Sequence, residues 1–550
     1  MRGQGVAQSP GMPARSARWA KVAPEAQATI GARSTPGGVD KSQSNAHAAH
    51  RGPRDHLQSR HTGGCFDCKF RTGTLVRMAP VEMRTPRGRQ FAVRVRMLTR
   101  RQLLLAVGIV ALAVRLPYII GPVDGQTQSD SGIYLGMAHD LLHGHGFATG
   151  GEFRTPGYPI LLAALSFLPG SVAGTAVTFQ HLLGVAAAVG LTWATWRFFG
   201  RCAAVLAGAL AALSPALLNL EGDALPDFIF CVVVLTGAFA LARALEDPQP
   251  ATRWLAAAGV IFGIAALVKP VGQALLVAAA VPLLVSLRQP RTWLRAGAII
   301  AGCMLLTVSP WIARNAIEHG DVRMSIQDGL NLWLREFDYD KRPFPTSTPR
   351  DRLAKHLYEK NGGLSSQAPT NTYELVFTDL VHHYGYSARR AAFFERAVAI
   401  QAIRASPLAY LEGTAKISAH LAWDAHTVAP ARLGIDEKVK AARPRLGTTV
   451  SSGLFDLSQV VVYAWFVLSL GLLSVLLVIF TGPRRQRVAA VALGVVWVAL
   501  TVSTGLAGIP DSRYASANVP LIWLLGSAGA AAVLSAGWNV ISSARRNRRA

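Results

Sequence analysis

From residue 102 onward the chain is dominated by apolar runs of about twenty residues, the length a helix needs to cross a hydrocarbon layer roughly 30 Å thick. Ten can be read: 102–120, 174–198, 202–220, 225–245, 254–268, 271–287, 294–312, 457–481, 488–507 and 516–538. The fifth and sixth are short and joined by Lys269-Pro270. Lipid offers backbone N–H and C=O groups no water, so each run must satisfy its own hydrogen bonds as a helix. The fold class that follows is all-α, a polytopic transmembrane helical bundle. A composition that is 51% hydrophobic and only 16% charged fits it, and rules out an ordinary soluble chain of 550 residues.

Charge sets the expected orientation. Arg100 and Arg101, Arg197 and Arg201, Arg243 and Arg253, Arg288 with Arg291 and Arg295, Arg484 with Arg485 and Arg487, and the run from Arg545 to Arg549 all fall at one end of successive spans. That end is read as cytoplasmic. The other end receives Asp124, Asp130, Glu221, Asp223, Asp227 and Asp511, with the long segment from about 313 to 456. Of the net charge of +25, residues 1–101 hold nineteen Lys/Arg against five Asp/Glu. The bundle is thus only mildly basic, its arginines mark topology, and no nucleic-acid partner is expected. The expected location is the plasma (inner) membrane, multi-pass, with the working face extracytoplasmic.

Four regions follow. Residues 1–96 are basic, rich in Gly, Ser, Pro and Gln, and lack any sustained apolar period, so they are read as disordered. Met97, directly ahead of Leu-Thr-Arg-Arg, is where such a chain would normally start, which makes an over-long gene model one reading of that region. No cleavable signal is evident, because the first apolar run continues too far. Residues 97–312 form an N-terminal transmembrane module whose first outer loop, 121–157, carries the candidate chemistry. Residues 313–456 are expected to be a small, mostly helical extracytoplasmic domain: SARRAAFFERAVAIQAIRASP, from Ser387, repeats its apolar residues at three and four, and Pro407 opens a further helix through Trp423. Residues 457–550 return to the membrane. The lone CxxC of Cys65 and Cys68 has no second pair to complete a zinc set. There is no internal repeat of the kind built into many transporters.

Between Asp130 and Ala163 the sequence DSGIYLGMAHDLLHGHGFATGGEFRTPGYPILLA joins an acid, a tyrosine, a glycine-rich turn and a proline-stiffened re-entry. Asp130 and Tyr134, four apart, share a helix face. Asp130 can serve as a general base toward a hydroxyl nucleophile, or simply cap the helix. Arg154, Lys269 and Arg314 are cations at the end where topology disfavours them; each could hold a phosphate or anchor a span at the interface. Glu221, Asp223 and Asp227 read either as solvated loop acids or as the source of a second acceptor-binding or metal-coordinating carboxylate. His143 with His145, and His382 with His383, read as polar loop residues, since neither pair has further ligands in view. No Ser-His-Asp order, P-loop or nucleotide-binding glycine pattern occurs, so no nucleotide or haem site is expected, while a divalent metal stays open.

Several ordered stretches resemble one family. They are Asp130 to Tyr134 with MAHDLLHGHGF and RTPGYP; PWIARNAIEHGDVRMSIQDGLNLWL from Pro310 to Leu334; ASPLAYLEGTAKISAHLAW from Ala405; and Arg513-Tyr514 with Pro520. Together they resemble the GT-C superfamily of membrane glycosyltransferases, in its ArnT and protein-mannosyltransferase branch (family 39 type). The resemblance implies a GT-C type bundle that transfers a sugar, with inversion, from a polyprenyl-phosphate carrier to an extracytoplasmic lipid, protein or envelope glycan. It implies that Asp130 is the catalytic carboxylate, with Tyr134 and Arg154 near the carrier phosphate, joined there by Lys269, the basic residue before a proline, and by Arg314 and Arg513 from motif positions. Many relatives carry Asp-Glu where this chain has Asp130-Ser131, and a Glu near Asp227; Asp223 and Asp227 are therefore the candidates for a second acid. The rival readings are a transporter or flippase and a polysaccharide polymerase or ligase of another fold.

Overall fold

The computed structural model describes residues 82–84, 90–92, 99–120, 129–363, 372–424, 469–508 and 519–547. The chain divides into two compact units. The smaller, Gln27–Leu98, falls in the segment expected to be disordered; its described residues form two strands, β1 (Glu82–Arg84) and β2 (Gln90–Ala92), paired antiparallel with Met83 opposite Phe91. This short ribbon is the one departure from all-α structure among the described residues. Cys65 and Cys68 lie outside the described residues.

The described residues of the larger unit form helices joined by turns. Among the described residues, six helices are long and apolar enough to cross a bilayer: α1 (Arg100–Ile120), α4 (Val172–Phe199), α7 (Asp227–Ala244), α10 (Pro290–His319), Arg484–Ala507 and the apolar part, Val519–Ala536, of a helix that continues to Asn547. The last two are α17 and α18. Shorter apolar helices are α5 (Arg201–Leu213), α8 (Thr252–Val268), α9 (Ala274–Ser286, led in by a 3-10 turn at Pro270–Gln273) and α16 (Ser469–Thr481). The protein is a multi-pass membrane protein, and the expected spans fall on these helices where their residues are described, apart from the run 202–220. Leu105, Ile109, Val277, Leu306 and Phe480 stay exposed on them, as lipid-facing side chains do.

Two expected boundaries are corrected. The run 202–220 is not continuous: α5 ends at Leu213 and α6 (Pro215–Glu221) begins anew, because Pro215 has no N–H to continue the ladder and the Ser214 hydroxyl accepts instead from the Leu217 N–H at 3.1 Å. The seventh span does not stop at 312. α10 continues to His319 and is ended by Gly320 in the left-handed region (φ 63°), so Arg314 belongs to the helix.

The arginine-rich ends of the helices do share a face. Arg197 from α4, Arg243 from α7 and Arg485 from α17 converge on the carboxylate of Glu246, Arg197 Nη2 at 2.7 Å and Arg485 Nε at 2.8 Å. At the opposite end stand α2 (Ser129–Leu142) and α3 (Gly157–Leu165). Beyond α10 comes a small helical domain: α11 (Gln327–Trp333) passing into a π-helical turn Leu334–Tyr339, then α12 (Pro349–Lys360), α13 (Thr372–His382) and α14 (Ala388–Ala405). Its core packs Trp333, Phe337, Leu357, Val376, Leu380 and Val398. As the sequence predicts, a helix follows Ser387, whose hydroxyl caps it, and Pro407 opens α15 (Pro407–Asp424).

Candidate functional site

Asp130 lies in the first turn of α2, and Tyr134 one turn on. The glycine-rich segment after α2 turns the chain back through Gly144, Gly146 and Gly150, all at positive φ, and this return delivers Arg154 to the start of α2. Arg154 Nη2 then donates to Asp130 Oδ1 at 2.9 Å, and its guanidinium stands 5.8 Å from the centre of the Tyr134 ring. Asp130 and Arg154 keep 28% and 19% of their side-chain surface open, so the pair is sheltered yet reachable. From the outer domain, Tyr373 shares the field of the pair. Burial first, and a hydrogen bond to Glu374 with that carboxylate's charge, push its hydroxyl above the usual phenol range; Asp130 adds to the rise and Arg154 opposes it.

Arg-Thr-Pro-Gly-Tyr-Pro then folds as a hinge onto α8. A side chain at Gly157 would come within 2.7 Å of the Leu267 carbonyl, so only glycine permits this approach. Two residues past Leu267, Lys269 Nζ meets Asp227 Oδ1 at 2.7 Å. Tyr158 packs edge-on against Tyr134, ring centres 5.5 Å apart, and its hydroxyl donates to Gln180 Oε1 at 3.1 Å. Gln180 Nε2 in turn donates to the carbonyls of Glu221 and Asp223, at 2.9 and 2.7 Å. A continuous polar relay thus ties the Asp130 region to the turn that carries the outer acids.

Those acids are not solvated, which corrects one of the two readings of them. Glu221 is fully buried between Arg115 (Nη2 at 2.7 Å, Nε at 2.8 Å) and His181 (Nδ1 at 2.8 Å); Asp223 and Asp227 are 4% and 2% exposed. The bundle therefore contains a buried, paired acid. Sequence reading passed over Arg115, Gln180 and His181. The signal was present, since an arginine well inside an apolar span marks a buried partner.

Arg314, on α10, meets the same loop at another point. It reaches the Gly151 carbonyl at 3.4 Å, pairs with Glu318 at 2.5 Å and lies 4.9 Å over the Trp311 ring. The structure therefore gathers Asp130, Tyr134 and Arg154 in direct contact, and sets Lys269 and Arg314 along the segment 151–157, each cation with its own carboxylate: Asp130, Asp227 and Glu318. Arg513 lies outside the described residues. No group of three or more His, Cys, Asp and Glu suited to a metal occurs among the described residues. His143 stacks between His139 and His145, at 4.0 and 6.4 Å.

Residues 154–313, beginning at Arg154, match the family model described as Dolichyl-phosphate-mannose-protein mannosyltransferase. Among solved structures, the chain is similar to ArnT from Cupriavidus metallidurans bound to undecaprenyl phosphate, at 16% identity and a TM-score of 0.34 over 74% of this chain and 77% of that one. It is also similar to the archaeal oligosaccharyltransferase AglB from Archaeoglobus fulgidus in complex with an inhibitory peptide and a dolichol-phosphate, at 14% identity and a TM-score of 0.42, over 82% of this chain and 52% of that one. A comparison with curated proteins finds no match.

Proposed function

We propose that the protein is a membrane glycosyltransferase of the GT-C type, moving a sugar from a polyprenyl-phosphate carrier to a hydroxyl or other nucleophile on the extracytoplasmic side. The observation that carries this reading is the 2.9 Å contact between Asp130 and Arg154, a carboxylate and a guanidinium from opposite ends of the loop, beside Tyr134. The family match from Arg154 to residue 313 supports it.

In this reading the acceptor oxygen attacks the anomeric carbon as its proton passes to Asp130, and the bond from that carbon to the carrier phosphate breaks with inversion. The carrier leaves as polyprenyl phosphate, which needs positive charge and no proton. Arg154 supplies that charge first, through a planar fork suited to phosphate. Lys269 and Arg314 border the same segment and add to it. Each cation is neutralised by a carboxylate before the carrier arrives, so the arriving headgroup exchanges one anion for another and a bare buried cation is never left behind. Asp227, 2% exposed and bound to Lys269, is a holder of that lysine and the better candidate for the second acid; Asp223 contributes its carbonyl to Gln180.

The test is Asp130→Asn. A general base contributes about 10²- to 10⁴-fold, so kcat for transfer from a lipid-linked sugar should fall by that factor while melting temperature and carrier binding hold. Wild-type turnover in the variant would overturn the assignment.

A further inference from the structure

The outer domain carries a cleft of about 520 Å³ that plays no part in the site above. One face of α14 floors it: Phe393, Arg396, Gln401 and Arg404 recur at helical spacing, while the opposite face, with Phe394, Val398 and Ala402, is buried in the domain core. Arg350, from the start of α12, and Arg323, from the segment between α10 and α11, close its sides. Four arginines thus face one cavity that no carboxylate lines.

The carboxylates that hold these arginines stand behind the lining. Arg323 pairs with Asp321 at 2.8 Å, Arg396 with Asp328 at 2.7 Å, and Arg350 lies 3.7 Å from Asp351. Arg389 also spends charge on Asp321, at 3.1 Å. Hydrogen bonds and nearby arginines keep the Asp321 carboxyl below the usual range against its burial, and hydrogen bonds to Thr348 and Ser347, with Arg350, do the same for Asp351, so both stay ionised. Arg404 has no ion-pair or hydrogen-bond partner among the described residues. Arg323 Nη1 and Arg350 Nε are buried against carboxylates, 3.5 Å from Asp328 Oδ1 and 3.7 Å from Asp351 Oδ1. The cavity therefore presents net positive charge over an aromatic floor, with the Arg323 guanidinium 4.2 Å from the centre of the Phe393 ring.

We infer that this cleft binds a phosphate-bearing sugar group. Guanidinium forks suit phosphate oxygens, and the volume falls within the roughly 300–1,000 Å³ of small-molecule sites, too large for a bare phosphate. Its place connects it to the loop that carries Arg154: the Ser325 hydroxyl donates to the Phe153 carbonyl at 2.5 Å, and the Ile326 N–H to the Glu152 carbonyl at 3.0 Å. The occupant is thus the anionic part of the acceptor, a point that rests on the transferase reading, whereas the binding itself does not.

The probe is glucose 1,6-bisphosphate, titrated calorimetrically into the full chain in phosphatidylcholine nanodiscs. Wild type should bind, Arg396→Gln/Arg404→Gln should weaken the affinity at least tenfold at unchanged melting temperature, and Asp130→Asn should bind as wild type does. Arg350→Gln, on a different helix, should weaken it in the same direction. Nanodiscs carrying phosphatidylinositol 4-phosphate either lower the apparent affinity for the bisphosphate, which assigns a lipid-borne headgroup, or leave it unchanged, which assigns a soluble one; both outcomes support the site. Equal binding by wild type and the arginine variants, loss of binding in Asp130→Asn, or no binding at all would overturn it. A transferase reading that fails alone would show instead as full turnover in Asp130→Asn with bisphosphate binding intact.

Discussion

Asp130 reaches Arg154 through one contact spanning 24 positions of sequence, and the exposure left to both makes it a pair that another anion can enter. The Arg115–Glu221–His181 group is of the other kind. All three side chains are fully buried, and Arg115 also donates to the carbonyls of Ala111 and Ala212, at 3.3 and 3.0 Å, so its charge is spent entirely inside the bundle. A closed group of this sort is a clamp between α1, α4 and α6, not a path for a solute. Removing one partner leaves a buried charge, so Arg115→Met and Glu221→Gln should each lose about 3–5 kcal/mol, while Arg115→Met/Glu221→Gln should lose less than the sum of the two single changes. Thermal melts of the four proteins in detergent check this, and additive losses would exclude the clamp. Asp130, Arg154, Lys269 and Asp227 could be singled out by residue type and position; which of them pair could not, because an ion pair at close range depends on where separate segments meet and has no spacing in sequence.

At the scale of the element, α3 shows why the loop needs its motif. Pro156 starts the helix and Gly157 lets it press on the Leu267 carbonyl, so Gly157→Val should displace Arg154 and Lys269 from the common segment. The expected outcome is a fall in transfer of about tenfold or more with little change in the melt, by the cost of misplacing reacting groups by an ångström; full activity would show that the close approach is immaterial. A second element with a readable consequence is the π-helical turn Leu334–Tyr339. Burial, helped by Asp340, pushes the Glu336 carboxyl up to about 7, and burial pushes Asp338 up to about 7 as well. Glu395 on α14, also fully buried, lies well above the carboxylate range for the same reason. Between the unfolded values near about 4 and the folded value, the native state binds more protons than the unfolded one, so stability from these groups is full below about pH 4 and lost as pH rises through 7. Asp321, Asp351 and Asp379, with lowered values, act oppositely, but only below that window. Hydrogen exchange in the turn and in α14 should therefore be faster at pH 8 than at pH 5.5 after correction for the intrinsic rate; Glu336→Gln/Asp338→Asn should shrink the difference, and adding Glu395→Gln should remove it.

Across the whole molecule, packing joins parts that the sequence lists separately. The helical domain is fixed to the last spans as well as to the loop: the Tyr410 hydroxyl donates to the Leu506 carbonyl, and Gly505 leaves room for the Ser418 hydroxyl. α16 and α18 cross where Gly471 meets Gly529, a contact that a side chain on either would block, as small residues allow in membranes. With Arg197, Arg243 and Arg485 gathered at Glu246, the arginine end and the Asp130 end lie at opposite ends of the spans. Cysteine labelling tests the side. In a cysteine-free background, a membrane-impermeant maleimide applied to intact cells should modify Glu359→Cys, exposed on α12, and spare Arg288→Cys; the reverse pattern would place the site in the cytoplasm and end the proposed reaction. The apolar runs alone determined that this chain is a helical membrane bundle, because bilayer thickness fixes their length and the missing water fixes their hydrogen bonding, and the arginine alternation fixed which ends go together. Only the tertiary structure decided that Glu221 is buried in a clamp, that Arg154, Lys269 and Arg314 each arrive with a counter-charge, and that four arginines from three segments line one cavity. Those facts depend on where side chains from distant segments converge, and an electrostatic partner, unlike a hydrophobic period, leaves no repeat along the chain.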